Sequence, residues 1–168
     1  EGCTEVDGGA GGVTVGSGGG ELRAGAGRRG GAKSPMLARL AVLVRPTAGK
    51  VIGDGVDTGA LGDRDLAHLR GSKIGFVFQE YNLLPSLNVL ENVMLPLRYA
   101  GNTRNGRQRA LELLDWVDLG DRVNHRPGEL SGGQMQRVAI ARSMNNKPTL
   151  IPLAEPTGNP ALVPRTAL

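Results

Sequence analysis

Aromatic side chains make up only 3% of this 168-residue chain, and none occurs before Phe76. The core must therefore come from Leu, Val, Ile and Ala, in a chain long enough for one domain. Cys3 stands alone, so an internal disulfide is impossible and a reducing compartment is the simplest expectation. No apolar run reaches membrane-spanning length, and the first residues carry no apolar signal segment. A soluble protein is expected.

What the chain does have is positive charge and glycine. The net charge of +4 is compatible with a nucleotide, a nucleic acid or a membrane surface, and does not choose among them. Arg104, Arg107 and Arg109 cluster without aromatics between them, so they read as a solvated helix face, and no nucleic-acid partner is expected. An RNA-binding reading rests on charge and glycine alone and predicts strongly salt-dependent binding. Thirteen of the first 31 residues are glycine, the composition of a flexible, weakly folding segment. Val13-Thr-Val15 and Glu21-Leu-Arg-Ala24 are its strand-like stretches.

Further on, the punctuation becomes regular. Val51 to Val56 reads as a glycine-interrupted strand, and Leu66 with Leu69 marks a short helix on which His68 is a surface or interface residue. Ile74-Gly-Phe-Val-Phe78 suits a buried strand ending at Gln79. At the carboxyl end of a sheet strand a polar side chain commonly faces a ligand crevice, although Gln79 also fits as a polar strand terminus. Asn88 and Glu91 form a capping box before a helix whose Val89, Val93 and Leu97 share a face. Gly101 to Gly106 is a turn cluster. Ala110, Leu113, Leu114 and Val117 follow the helical template, with Gly120 as its expected stop and Trp116 as a packing residue. His125 to Leu130 is a turn into another helix, which ends near Asn145 to Pro148.

Two stretches have the pattern of anion sites. In Leu130-Ser-Gly-Gly-Gln-Met-Gln-Arg-Val-Ala-Ile-Ala-Arg142, Ser131 and Gln134 make a second capping box, and Met135, Val138 and Ala139 mark an apolar face. Gly132 and Gly133 leave first-turn amides uncovered at the helix end that attracts anions; a capped helix with no ligand has the same pattern. Gly27-Arg-Arg-Gly-Gly-Ala-Lys-Ser34 places a glycine, a lysine and a hydroxyl where a phosphate-cradling loop needs them. By itself, a flexible basic loop fits that stretch as well.

Together these stretches resemble the ATP-binding-cassette (ABC) ATPases, over roughly residues 13 to 160. Leu130 to Arg142 resembles the family's signature motif, Gly27 to Ser34 its P-loop, and Phe78 to Pro85 its Q-loop. Asn82 to Val93 is similar to the lipoprotein-release and macrolide-export branch. The resemblance implies an α/β fold of the P-loop NTPase kind. A mostly parallel sheet would carry flanking helices, with a helical subdomain over about 80–140 bearing the signature. It implies one nucleotide-binding domain over 1–168, in which 1–31 is glycine-rich and 141–168 holds a truncated Walker B region, the C-terminal part of the fold being missing.

The implied function is an ATPase subunit of an ABC transporter that binds ATP and Mg²⁺. Gly27, Gly30, Gly31, Ala32, Lys33 and Ser34 would hold the phosphates, with Ser34 and Gln79 at the Mg²⁺. Gln79 and Glu155 would act on the attacking water, and Ser131, Gly132, Gly133 and Gln134 would contact the nucleotide of the opposite subunit. The implied partners are a second ABC ATPase subunit, the same or different, and a transmembrane permease. The implied place is the cytoplasmic face of the cell membrane. Departures lie near both ends: Ala32 replaces a P-loop glycine, Pro35 follows the loop, Pro152 interrupts a strand, and Ala154 replaces the Mg²⁺-linked Asp. Pro160 and Ala161 stand where Leu-Asp is usual, and Leu168 precedes the position of the switch histidine. These departures motivate a second reading, a degenerate module that lends its signature to a competent partner, or a non-functional fragment.

Overall fold

The structure is a computed structural model that describes residues 5–6, 38–39, 41–45, 50–53, 56–78, 80–100 and 106–152. The chain forms two compact units, Gly71–Val163 and the remainder.

In the first unit, β1 (Glu5–Val6), β2 (Val51–Gly53) and β3 (Val56–Asp57) make an antiparallel sheet in that order. Glu5 pairs with Ile52, and Gly53 with Val56. The single strand expected over Val51 to Val56 is therefore two strands and a reversal. Asp54-Gly55, between them in the sequence, is the dipeptide favoured by two-residue hairpins. After β3, the buried Thr58 hydroxyl donates to the Val51 carbonyl at 2.9 Å, and the Asp57 carboxylate accepts from the Gly59 amide at 2.9 Å. The helix expected around Leu66 is α1 (Asp63–Lys73); Leu66 is buried and His68 is exposed. Arg45 donates to Asp63 at 2.8 Å, close to the α1 N-terminus, where a carboxylate is favoured.

The second unit is built on three helices, α2 (Val89–Ala100), α3 (Gly106–Trp116) and α4 (Gly132–Met144). Buried stripes on the 3.6 period run along α2 (Val89, Val93 and Leu97) and α3 (Ala110, Leu113 and Leu114), whereas α4 is buried on every face from Val138 to Met144, and Met135, expected on its apolar face, is only partly covered. The buried Asn145 side-chain Nδ2 donates to the Val93 carbonyl at 2.9 Å, tying the end of α4 to the middle of α2.

α3 stops one turn before its expected glycine. Leu119 donates to Leu114 at 2.8 Å and Asp118 to Asp115 at 3.0 Å, the paired bonds of a Schellman cap, with Asp118 at φ 56° in the place usually held by glycine. Leu114 and Leu119 are both fully buried, which is the apolar contact of that motif. Gly120 instead opens the short 3-10 turn Gly120–Arg122. Trp116, expected in the packing, is 38% exposed. Arg109 is not on a solvated face: it donates to the carbonyls of Met144 and Asn145 at 3.2 and 3.3 Å and so caps the end of α4.

Ile74 pairs in parallel with Leu150, and the carbonyls of Leu150 and Pro152 accept from Gly75 and Val77. The buried strand expected over Ile74–Phe78 is therefore only a short parallel bridge, with Gly75 and Val77 buried and Phe78 exposed. Phe76 and Phe78 have ring centroids 4.2 Å apart. No helix among the described residues is long and apolar enough to cross a membrane.

Candidate functional site

Two helices of the second unit begin with capping boxes, and their first turns differ. At α2, Asn88 donates to Glu91 at 2.9 Å and its side chain accepts from the Glu91 amide at 2.8 Å. The amides of Val89 and Leu90 donate to the carbonyls of His125 and Val123 at 2.9 and 3.1 Å. All four first-turn amides of α2 are thus taken by protein, which is the usual fate of a helix start inside a fold.

At α4, the Ser131 amide donates to the Gln134 side chain at 2.8 Å, and the Gln134 amide to the Ser131 hydroxyl at 3.3 Å. Met135 donates to the Ser131 carbonyl at 2.9 Å, so the helix is running normally from its first turn. Gly132 and Gly133 fall between these bonds. Both are exposed, and a Cβ added at either would meet nothing within 4 Å. Their amides have no protein acceptor among the described residues and stand at the positive end of the helix dipole. The Ser131 hydroxyl keeps its own proton free to donate. Backbone can approach an oxyanion closely here, because no side chain intervenes.

The other end of α4 holds a loop. Arg142 is 8% exposed, and its guanidinium donates to the Tyr81 carbonyl at 2.6 Å and to the Asn82 carbonyl at 2.7 Å. Burial pushes its pKa below the ordinary arginine value. Tyr81 and Asn82 have φ of 57° and 45°. A left-handed tyrosine is rare, and each such residue costs on the order of 1–3 kcal/mol, so the surroundings must impose it. Asn92, fully buried on α2, holds the rest of the loop. Its side chain accepts from the Leu84 amide at 2.8 Å and donates to the carbonyls of Leu84, Leu87 and Asn88 at 2.9–3.1 Å.

Of the residues singled out from the sequence, Ser131, Gly132, Gly133 and Gln134 lie together at the start of α4. Gly27, Gly30, Gly31, Ala32, Lys33, Ser34, Gln79 and Glu155 lie outside the described residues, as do Ala154, Arg104 and the strand-like stretches before Pro35. Among the described residues, no cluster of His, Cys, Asp and Glu could hold a metal ion. Arg142 and Asn92 were not singled out. Each interrupts an apolar stripe, Arg142 four residues after Val138 and Asn92 three after Val89, and that interruption was the available signal.

The family described as ABC transporter matches residues 12–158. A Thermotoga maritima protein described as an uncharacterized ABC transporter ATP-binding protein is 56% identical over 134 residues, 79% of this chain and 57% of its own length. The lipoprotein-releasing system ATP-binding protein LolD of Paramagnetospirillum magneticum is 45% identical over 149 residues, 88% of this chain and 65% of its own length. The chain thus spans little more than half to two thirds of these relatives. The dimeric structure of MJ0796, a bacterial ABC transporter cassette, aligns with a TM-score of 0.76 at 40% identity, covering 89% of this chain and 71% of that one. A second dimeric structure of MJ0796, in a post-hydrolysis state bound to ADP and Pi, aligns with a TM-score of 0.74. The expected α/β fold of a P-loop NTPase is thereby established.

Proposed function

Because the chain belongs to the ABC transporter family, we propose that it is the ATP-binding subunit of an ABC transporter, hydrolysing ATP at a dimer interface to drive transport across a membrane. The observation that carries this reading is the start of α4. Of two capping-box helices, α2 has every first-turn amide taken by protein, and α4 presents those of Gly132 and Gly133 on exposed, unobstructed backbone.

In this reading Ser131, Gly132, Gly133 and Gln134 meet the terminal phosphate of a nucleotide held by a second ABC ATPase subunit, identical or different. The phosphate oxygens accept from the glycine amides and the Ser131 hydroxyl. Closure of the interface expels water and strengthens those bonds. In each subunit Lys33 neutralises the β- and γ-phosphates from within the loop Gly27, Gly30, Gly31, Ala32, while Glu155 polarises the attacking water and Gln79 orients it. Ser34 and Gln79 offer the oxygen donors that Mg²⁺ takes, and Ala154 offers none. When bound, Mg²⁺ would screen the phosphate charge. A transmembrane permease is the second partner, which puts the subunit on the cytoplasmic face of the membrane. Residues 1–168 act as one nucleotide-binding domain, with about 80–140 as its helical subdomain.

Mg-ATP binding by the purified chain, measured beside Lys33→Ala, tests the reading. Saturable binding lost on substitution is expected. A folded chain that binds no nucleotide at millimolar concentration would overturn it.

A further inference from the structure

α4 carries Ser131–Gln134 at its start and Arg142 in its last turn, about 15 Å further along the helix axis. The two carbonyls that Arg142 holds belong to a turn with little support of its own. Its internal bonds are Tyr81 to Phe78 at 3.0 Å and Asn82 to Glu80 at 2.6 Å, the second spanning only three residues. A three-residue turn centred on a left-handed residue is the strained form of the γ-turn. A tyrosine does not adopt it unaided.

The guanidinium is buried and meets no carboxylate among the described residues; its charge is satisfied by the turn's carbonyls. Planar and forked, it fixes two successive carbonyls at once, which a single charge on a flexible stem does not. The two residues it fixes, Tyr81 and Asn82, follow position 79 by two and three places in the chain.

We propose that Arg142 is a positioning residue for ATP hydrolysis: it holds the Phe78–Asn82 turn in its strained form and thereby sets where Gln79 stands relative to the helix that begins at Ser131. The inference rests on the role given to Gln79 above. It makes α4 a rigid link, with the phosphate-contacting end at one terminus and the water-orienting loop at the other. A shift of α4 on engaging the partner's nucleotide reaches the turn through one side chain.

The test uses the full chain with Arg142→Gln, Arg142→Lys, Tyr81→Gly and the double variant Arg142→Gln/Tyr81→Gly. Amide hydrogen exchange is followed in peptides over 80–88 and 106–116, and ATP turnover is resolved into kcat and KM. In Arg142→Gln, exchange over 80–88 should accelerate about tenfold while 106–116 stays protected. Its kcat should fall by up to about 100-fold with KM within about twofold, because chemistry and not nucleotide binding depends on the turn. Arg142→Lys should lose less. Tyr81→Gly should recover part of the loss in the Arg142→Gln background, since glycine takes positive φ without help. Exchange rising equally over both segments, KM rising in step with the loss of kcat, or no recovery in the double variant would overturn the proposal. A wild-type chain that turns over no ATP would overturn the proposed function instead, and exchange over 80–88 with its recovery by Tyr81→Gly would still decide whether Arg142 holds the turn.

Discussion

The Val77 amide donates to the Pro152 carbonyl at 3.3 Å, two residues beyond the bond from Gly75 to Leu150 at 2.9 Å. In a regular parallel ladder the intervening rung runs from the amide of residue 152 to the Gly75 carbonyl. Pro152 has no N–H to make it. The pairing therefore skips one rung and resumes on the proline's own carbonyl.

Pro152→Val supplies the missing donor. It should raise stability by about 1 kcal/mol, the net worth of one ladder bond. Denaturant unfolding of the two chains checks this, and an unchanged or lowered midpoint would count against the register.

Gly75 sits opposite the last turn of α4. A Cβ at this position would stand 2.2 Å from the Ser143 carbonyl oxygen, which is backbone and cannot swing away. Gly75→Ala should destabilise the fold by about 2–3 kcal/mol, as overpacking against rigid structure does. A variant with the wild-type melting temperature would mean that α4 does not approach so closely.

Asp118 holds the cap of α3 at φ 56° with a side chain that resists that conformation. Asp118→Gly removes the steric cost while keeping both backbone bonds. It should raise stability by about 0.5–1 kcal/mol, read by thermal unfolding. A loss of stability would show that the Asp118 side chain contributes more than its backbone conformation costs.

Ala154 stands where the resemblance puts a carboxylate linked to Mg²⁺. Restoring it with Ala154→Asp should raise ATP turnover about 100-fold, the usual scale of one electrostatic contact to a transferring phosphoryl group. Steady-state phosphate release at saturating nucleotide measures the change, and equal rates would remove Ala154 from the list of departures that matter.

What was legible in the sequence was local. The Asn88–Glu91 and Ser131–Gln134 boxes are reciprocal bonds across three residues, so four letters define them. The stripes Val89/Val93/Leu97 and Ala110/Leu113/Leu114 follow from the helical period in the same way. What could not be read depends on distant partners. Arg142 reaches carbonyls 60 and 61 positions away, and Arg109 reaches Met144 and Asn145 across 35 and 36. Composition made Arg109 look like part of a solvated cluster; only the packing of α3 beside the end of α4 makes it a cap. The stop of α3 was misplaced for a different reason. A glycine two residues on was the stronger signal, but burial of Leu119 against Leu114 closes the helix earlier, and Asp118 accepts the strain. The capped start of α4 was fully legible because it is one helix start. The P-loop residues, Gln79 and Glu155 remain expectations from the motifs.

In the proposed function, the exposed first turn of α4 meets the phosphate of a nucleotide held by a second subunit. Gly133→Glu separates fold from function there, because a Cβ at this exposed position meets nothing within 4 Å. A carboxylate in the first turn should stabilise α4 by about 0.3–1 kcal/mol through the helix dipole. The same charge should repel a phosphate. Sedimentation of the chain with Mg-ATP, before and after the substitution, is the measurement to make. The wild type should form nucleotide-dependent dimers, and Gly133→Glu should stay a monomer that still binds ATP and melts no lower. Dimers that form equally well with the glutamate in place would contradict it.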